Sequence, residues 1–148
     1  MVKPEVRKAE LKDLTPLTKL MNEYIVDFYL CTKPEDEKLH NLIRTLLNEK
    51  EGIQFIALKE EKMVGFATLY FSYATTSADK ITIMNDLYTV KEVRGEGIAA
   101  ELFNACHTYT QENNYYCMKW ETARSNKRAQ QFYKKMGAVP GDWITYNL

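Results

Sequence analysis

The chain has 148 residues, 45% of them hydrophobic, with twenty basic and twenty acidic side chains and zero formal net charge. That length suits one domain with a sizeable core, and the even charge balance argues against a nucleic-acid binder, which would carry a basic excess. No apolar run approaches a membrane span, and the N-terminus lacks a secretory pattern. Cys31, Cys106 and Cys117 show no C-x-x-C pairing and read as free thiols of a reducing cytoplasm, while His40 and His107 stand apart, so no metal is expected.

In chain order, Val2 to Arg7 reads as a short strand with Pro4 at its start or on an edge. Asp13 is a candidate N-cap for a helix through Leu14, Leu17, Leu20, Met21, Tyr24, Ile25 and Phe28, with Pro16 in its first turn. A second helix from Glu35 to Asn48 carries Leu39, Leu42, Ile43, Leu46 and Leu47 on one side, and Glu51-Gly52 ends it. Gln54 to Lys59 and Met63 to Tyr73 read as a hairpin joined by Glu60-Glu61-Lys62, its second strand rich in Phe66, Tyr70, Phe71 and Tyr73. Ser72 to Lys80 is expected to loop, and Ile81 to Val90 to return as the central strand.

Arg94-Gly95-Glu96-Gly97 then leads into a helix from Gly97 to Glu112, with Ile98, Leu102, Ala105 and Cys106 on one face. A strand that ends in a basic, glycine-bearing turn and opens a helix makes an anion site, because the first helical N–H groups face the ligand. A tight structural turn would read the same way. Two phosphate motifs are excluded: no Walker-type run is present, and no third glycine completes a dinucleotide fingerprint. Asn113-Asn114 stops the helix, and Cys117 to Glu121 forms the next strand. Asn126 caps a helix bearing Ala129, Phe132, Tyr133 and Met136, Gly137 terminates it, and Trp143 to Asn147 supplies a last strand.

Two segments carry a resemblance. Arg94-Gly95-Glu96-Gly97-Ile98-Ala99 resembles the acetyl-CoA pyrophosphate loop of the GNAT superfamily of N-acetyltransferases, and Asn126 to Ala138 resembles its Asn-x-x-Ala-x-x-Phe-Tyr-x-x-x-Gly-Phe/Ala block. Val64 to Ala67, Tyr70 to Tyr73, Asn85 to Tyr88 and Trp120-Glu121-Thr122 look most like the diamine (spermidine/spermine) and histone/polyamine subgroup. The resemblance implies a single α/β domain over residues 1–148, with a mixed, mostly antiparallel sheet of about six to seven strands and about four helices. It also implies acetyl-CoA as cosubstrate, held by Leu87, Tyr88, Thr89, Val90, Arg94, Gly95, Glu96, Gly97, Ile98, Ala99, Asn126 and Tyr133. The acceptor pocket would border Tyr24, Asp27, Phe28, Tyr73, Asp86, Glu121 and Trp143, with Glu35 close by. Core packing for the aromatics and a solvated face for the acids would explain several of these equally.

Acetyl transfer to an amine sets the chemical demands. An amine with a pKa near 10 is only ~0.1% neutral at pH 7, which adds about 4 kcal/mol to its attack on a thioester. A base must take the proton, and an acid must meet the leaving thiolate. Tyr133 stands where many family members place that acid, although a packed aromatic fits the same position. Asn85 stands where the spermidine/spermine branch has a glutamate, and an amide cannot be a general base. Asp86, Glu121 or a water chain held by Asn85 would have to substitute. The expected acceptor is a small primary amine, such as a polyamine, a diamine or an amino-acid-like compound. A protein lysine or N-terminus, an antibiotic, or a non-catalytic acyl-CoA sensor are the alternatives. A homodimer is expected from the apolar C-terminal strand, which would leave an edge inviting pairing.

Overall fold

The computed structural model describes residues 3–148. The first strand, β1, spans Glu5–Lys8, and the expected start at Val2 lies outside the described residues. Helix α1 follows over Leu14–Asn22 and continues, wound as a π-helix, through Glu23–Phe28. Helix α2 covers Asp36–Leu47, strand β2 Gly52–Lys59, β3 Lys62–Ala74 and β4 Asp79–Thr89. Then come α3 (Ile98–Glu112), the two-residue β5 (Met118–Lys119) and α4 (Lys127–Lys135). The strands order as β1-β2-β3-β4-β5, antiparallel throughout except for the parallel β4–β5 pair. The expected α/β class is borne out, with five strands among the described residues rather than six or seven.

Both faces of the sheet are covered, which is why β2 and β3 read as nearly continuous buried runs. Ile53, Phe55, Ala57, Ala67, Leu69 and Met84 pack with Ile98, Leu102, Phe103 and Cys106 of α3. On the other face, Ile56 and Phe66 meet Leu17, Leu20, Met21 and Tyr24 of the first helix and Leu39 and Ile43 of α2. The Thr82 and Thr110 hydroxyls, 2.7 Å apart, tie α3 to β4, and Thr110 also donates to the Cys106 carbonyl.

Four expectations are corrected. Residues 72–74 and 79–80 pair in the β3–β4 ladder, so only 75–78 loop; the polar side chains there face solvent while their backbones still hydrogen-bond. Asp13 does not cap α1: a 3₁₀ turn over Leu11–Asp13 precedes the helix, and the Asp13 carboxylate points back to the Glu10 N–H at 2.7 Å. The strand expected over Cys117 to Glu121 shrinks to β5. The last strand, over Trp143 to Asn147, does not form; Thr145 donates to Glu121, but Trp143, Ile144 and Tyr146 are largely exposed. Apolar composition supplies strand propensity, yet a strand needs a long partner edge, and two-residue β5 does not provide one.

Candidate active site

The site grows from an irregularity in β4. Thr68 pairs with Asp86, but the next residue, Leu69, pairs with Met84, so Asn85 is left over as a bulge. On its other side β4 pairs β5 only through Thr82 and Ile83. From the bulge to Val90, one backbone edge of β4 therefore has no partner strand among the described residues. Here the exposed Asn85 donates from Nδ2 to Asp86 Oδ1 at 3.1 Å.

Asp86 is half-buried, and desolvation raises its carboxyl above the ordinary value. The Asn85 amide, with the hydroxyls of Thr68 and Tyr24 that face the carboxyl, opposes this without cancelling it. Burial, and then the charge of Asp86, push the Tyr24 phenol far up, so Tyr24 stays protonated and able to donate. The same causes, burial first, raise Tyr70. Tyr24 anchors an aromatic group: Tyr29 lies edge-on at 4.9 Å, Phe66 edge-on at 5.4 Å, Tyr88 at 5.4 Å and Phe28 parallel at 6.1 Å. A carboxyl bordered by ring faces is a favourable setting for a cation.

Beyond β4, Val90 still donates to the Val64 carbonyl at 2.9 Å, and a 3₁₀ turn over Lys91–Val93 delivers half-buried Arg94. Gly95 and Gly97 have φ of 87° and 85°, left-handed values that strain any residue with a Cβ. The first intrahelical bond of α3 runs from the Glu101 N–H to the Gly97 carbonyl, so the N–H groups of Ile98, Ala99 and Ala100 have no intrahelical acceptor. Glu96, an acid in an anion loop, is paired with the Lys59 ammonium, which offsets its charge. Turn, guanidinium and free N–H groups fit a pyrophosphate.

Tyr133, on α4, packs against Trp120 at 5.2 Å, Phe132 at 5.5 Å and Phe103 at 6.4 Å. Burial, with a contribution from Tyr29, pushes its phenol up to about 12, so it is protonated at neutral pH. Asn126 caps α4 as expected, its Oδ1 accepting from the Ala129 N–H at 3.1 Å.

The fold gathers Tyr24, Phe28, Asn85, Asp86, Leu87, Tyr88, Thr89 and Val90 along one strand end. It does not bring Tyr73 there: Tyr73 pairs with Lys80 and lies five residues beyond Thr68, roughly 17 Å along the strand, and is 77% exposed. Asp27 lines an open groove of about 570 Å³ between α1 and α2, with Glu23, Lys33, Asp36 and His40. Glu121 bonds to the tail through Thr145, and Trp143 is 88% exposed on that tail. Sequence reasoning missed Thr68, Gln54 and Tyr29. The signal for the first two was present, as lone polar residues inside the apolar runs Ile53-Gln54-Phe55 and Ala67-Thr68-Leu69.

Comparison with known proteins gives the family and the fold. Residues 17–138 match the model of the acetyltransferase (GNAT) family. The uncharacterized N-acetyltransferase YhfO of Bacillus subtilis is 26% identical over 132 residues, 89% of this chain and 87% of that protein. An uncharacterized N-acetyltransferase of Archaeoglobus fulgidus is 30% identical over 135 residues, 87% and 88% of the two chains. A thialysine N-epsilon-acetyltransferase of Bos taurus is 30% identical over 76 residues, 51% of this chain and 44% of that one. Among solved structures, a probable acetyltransferase superposes with a TM-score of 0.85 at 26% identity, covering 97% of this chain and 96% of the other. An aminoglycoside N-acetyltransferase in complex with CoA shares the fold, with a TM-score of 0.87 at 15% identity over 100% and 95%. The chain belongs to the acetyltransferase (GNAT) family.

Proposed function

We propose that this GNAT acetyltransferase moves the acetyl group of acetyl-CoA to a primary amine of a small molecule, a polyamine, diamine or amino-acid-like compound, by direct attack in a ternary complex. One observation carries the reading: a desolvated carboxyl, Asp86, sits at a strand bulge whose free edge leads into a glycine turn and a helix N-terminus. The thialysine acetyltransferase relative favours an amino-acid-like or diamine acceptor.

In this reading the acetyl thioester supplies the group transferred. Arg94 and the N–H groups at the start of α3, Ile98 and Ala99 first, hold the pyrophosphate on the Gly95–Gly97 turn, while the open backbone of Leu87 to Val90 aligns the pantetheine arm. Asp86 takes the proton of the incoming ammonium, and its raised pKa brings it closer to the working pH, where a base is most effective. Asn85, which cannot accept a proton, orients that carboxylate through its amide. Tyr24, Phe28 and Tyr88 offer ring faces to the cation. Tyr133 donates its phenolic proton to the departing thiolate.

The chain would work as one domain in a reducing cytoplasm, and as a homodimer. Support for pairing lies in the tail, where Trp143, Ile144, Tyr146 and Leu148 are exposed beside a short β5 whose outer side has no partner strand among the described residues. Light scattering should give about twice the 17.3 kDa of one chain, and a monomer that persists on concentration would refute the pairing.

Acetyl-CoA binding to the native state alone should raise the Tm. Gly97→Val should abolish that rise, because valine is strained at a φ of 85°, while the apo protein stays folded. No rise at millimolar acetyl-CoA in the unmodified protein would refute the reading. Tyr133→Phe should lower kcat for CoA release about 10²-fold with cofactor affinity unchanged. A fully active Tyr133→Phe enzyme would show that the acid is another group.

A further inference from the structure

Gln54, Thr68 and Asp86 stand in a row across three adjacent strands. Gln54 is the register partner of Thr68, and Thr68 that of Asp86. Gln54 is 2% exposed and Thr68 fully buried. Gln54 Nε2 donates to Thr68 Oγ1 at 3.1 Å and lies 3.6 Å from Met21 Sδ. A threonine hydroxyl has a single hydrogen, and an ionised carboxylate can only accept. Having accepted from the amide, Thr68 has its hydrogen free to turn toward its register partner Asp86, which would give the row one direction: amide to hydroxyl to carboxylate.

The same amide leaves Gln54 Oε1 buried without a partner among the described residues. An orphaned buried oxygen weakens a fold, and an apolar residue of similar size would avoid it in a face already lined by Ile56 and Phe66. A side chain that harms packing yet aims at a reactive group points to a role at that group. We propose that Gln54 and Thr68 are positioning residues that fix the orientation of the Asp86 carboxylate and favour its ionised form for taking the amine proton. This rests on the reading of Asp86 as the base. The other groups facing Asp86 are the phenols of Tyr24 from α1 and Tyr70 from β3 and the Asn85 amide; among the described residues no charged side chain contributes.

The test follows the Asp86 carboxyl by carbon-13 NMR against pH in the whole apo protein, so no acceptor is needed. Thr68→Val should make Asp86 about tenfold weaker as an acid, Thr68→Ser should restore the wild-type midpoint, and Gln54→Leu should weaken the acid about threefold while its Tm equals or exceeds that of the wild type. If Thr68→Val alone folds poorly, the double Gln54→Leu/Thr68→Val variant replaces both halves of the bond with apolar groups and should show the tenfold change. An unmoved midpoint in these valine variants would overturn the proposal, as would a Gln54→Leu protein with lowered Tm and an unmoved midpoint. CoA release with spermidine or thialysine should show an acid limb that moves with the NMR midpoint. A midpoint that moves while the limb stays fixed would show that Asp86 is not the base, a separate failure that removes the catalytic role of the row with it.

Discussion

Asp13 is a buried carboxylate and Asp86 a half-buried one, and their surroundings push them in opposite directions. Burial works against the Asp13 anion, but Arg7 grips it with two hydrogen bonds of 2.8 and 3.0 Å and the Glu10 N–H adds a third, so it is held below the ordinary carboxylate range. Asp86 has only neutral donors, and desolvation prevails. The first arrangement fastens β1 to the start of the first helix. The second leaves a poorly solvated carboxylate beside an open strand edge, which is what a proton acceptor requires. A resident cation at the carboxylate is what separates the structural acid from the proposed base.

Removing Asp13 should break this contrast most severely. Asp13→Ala removes the two hydrogen bonds from Arg7 and the one from the Glu10 N–H, leaving Arg7 with Glu10 at 3.1 Å and the Lys8 carbonyl at 3.0 Å, and should destabilise the fold by about 2 kcal/mol in denaturant unfolding, with acetyl-CoA affinity unchanged. Its pH dependence follows from the sign of the shift. A lowered native pKa gives stability that is full above the unfolded value of 3.8 and lost as pH falls through the native value. An Asp13→Ala protein as stable as wild type at neutral pH would show that the ion pair contributes nothing.

Asp86→Asn should act with the opposite sign and a smaller size. A raised native pKa means that folding disfavours the anion, so the penalty is full above the native value and absent below the unfolded value of 3.8. The variant should therefore be more stable than wild type at neutral pH in denaturant unfolding, with the gain shrinking to nothing in acid. A loss of stability at neutral pH would mean that the carboxylate is better satisfied than its surroundings indicate.

What the sequence revealed follows the range of the forces involved. The glycine turn, the amphipathic faces of α2 and α3 and the Asn126 cap are local, set by φ restrictions, helical spacing and one side chain reaching three residues ahead. These were legible. The bulge at Asn85 was not, because it exists only in the register between β3 and β4. Nor was the environment of Asp86, since Thr68 and Tyr24 face it from a neighbouring strand and a helix far away in sequence, with Gln54 behind Thr68. Tyr73 shows the reverse: an aromatic on the strand that carries Thr68 lies roughly 17 Å along it from the Asp86 carboxyl. The tail failed for a related reason, because Trp143 to Asn147 has the composition of a strand but no edge long enough to pair with.

The most direct test of the account is the pH dependence of kcat/KM for CoA release across a panel of polyamines, diamines and amino acids, comparing wild type with Asp86→Asn. The account predicts that at least one amine is acetylated, with an acid limb set by Asp86, and that Asp86→Asn lowers the rate by about 10²-fold or more and abolishes the limb. An Asp86→Asn enzyme that acetylates the same amine at the wild-type rate, with the limb intact, would contradict it.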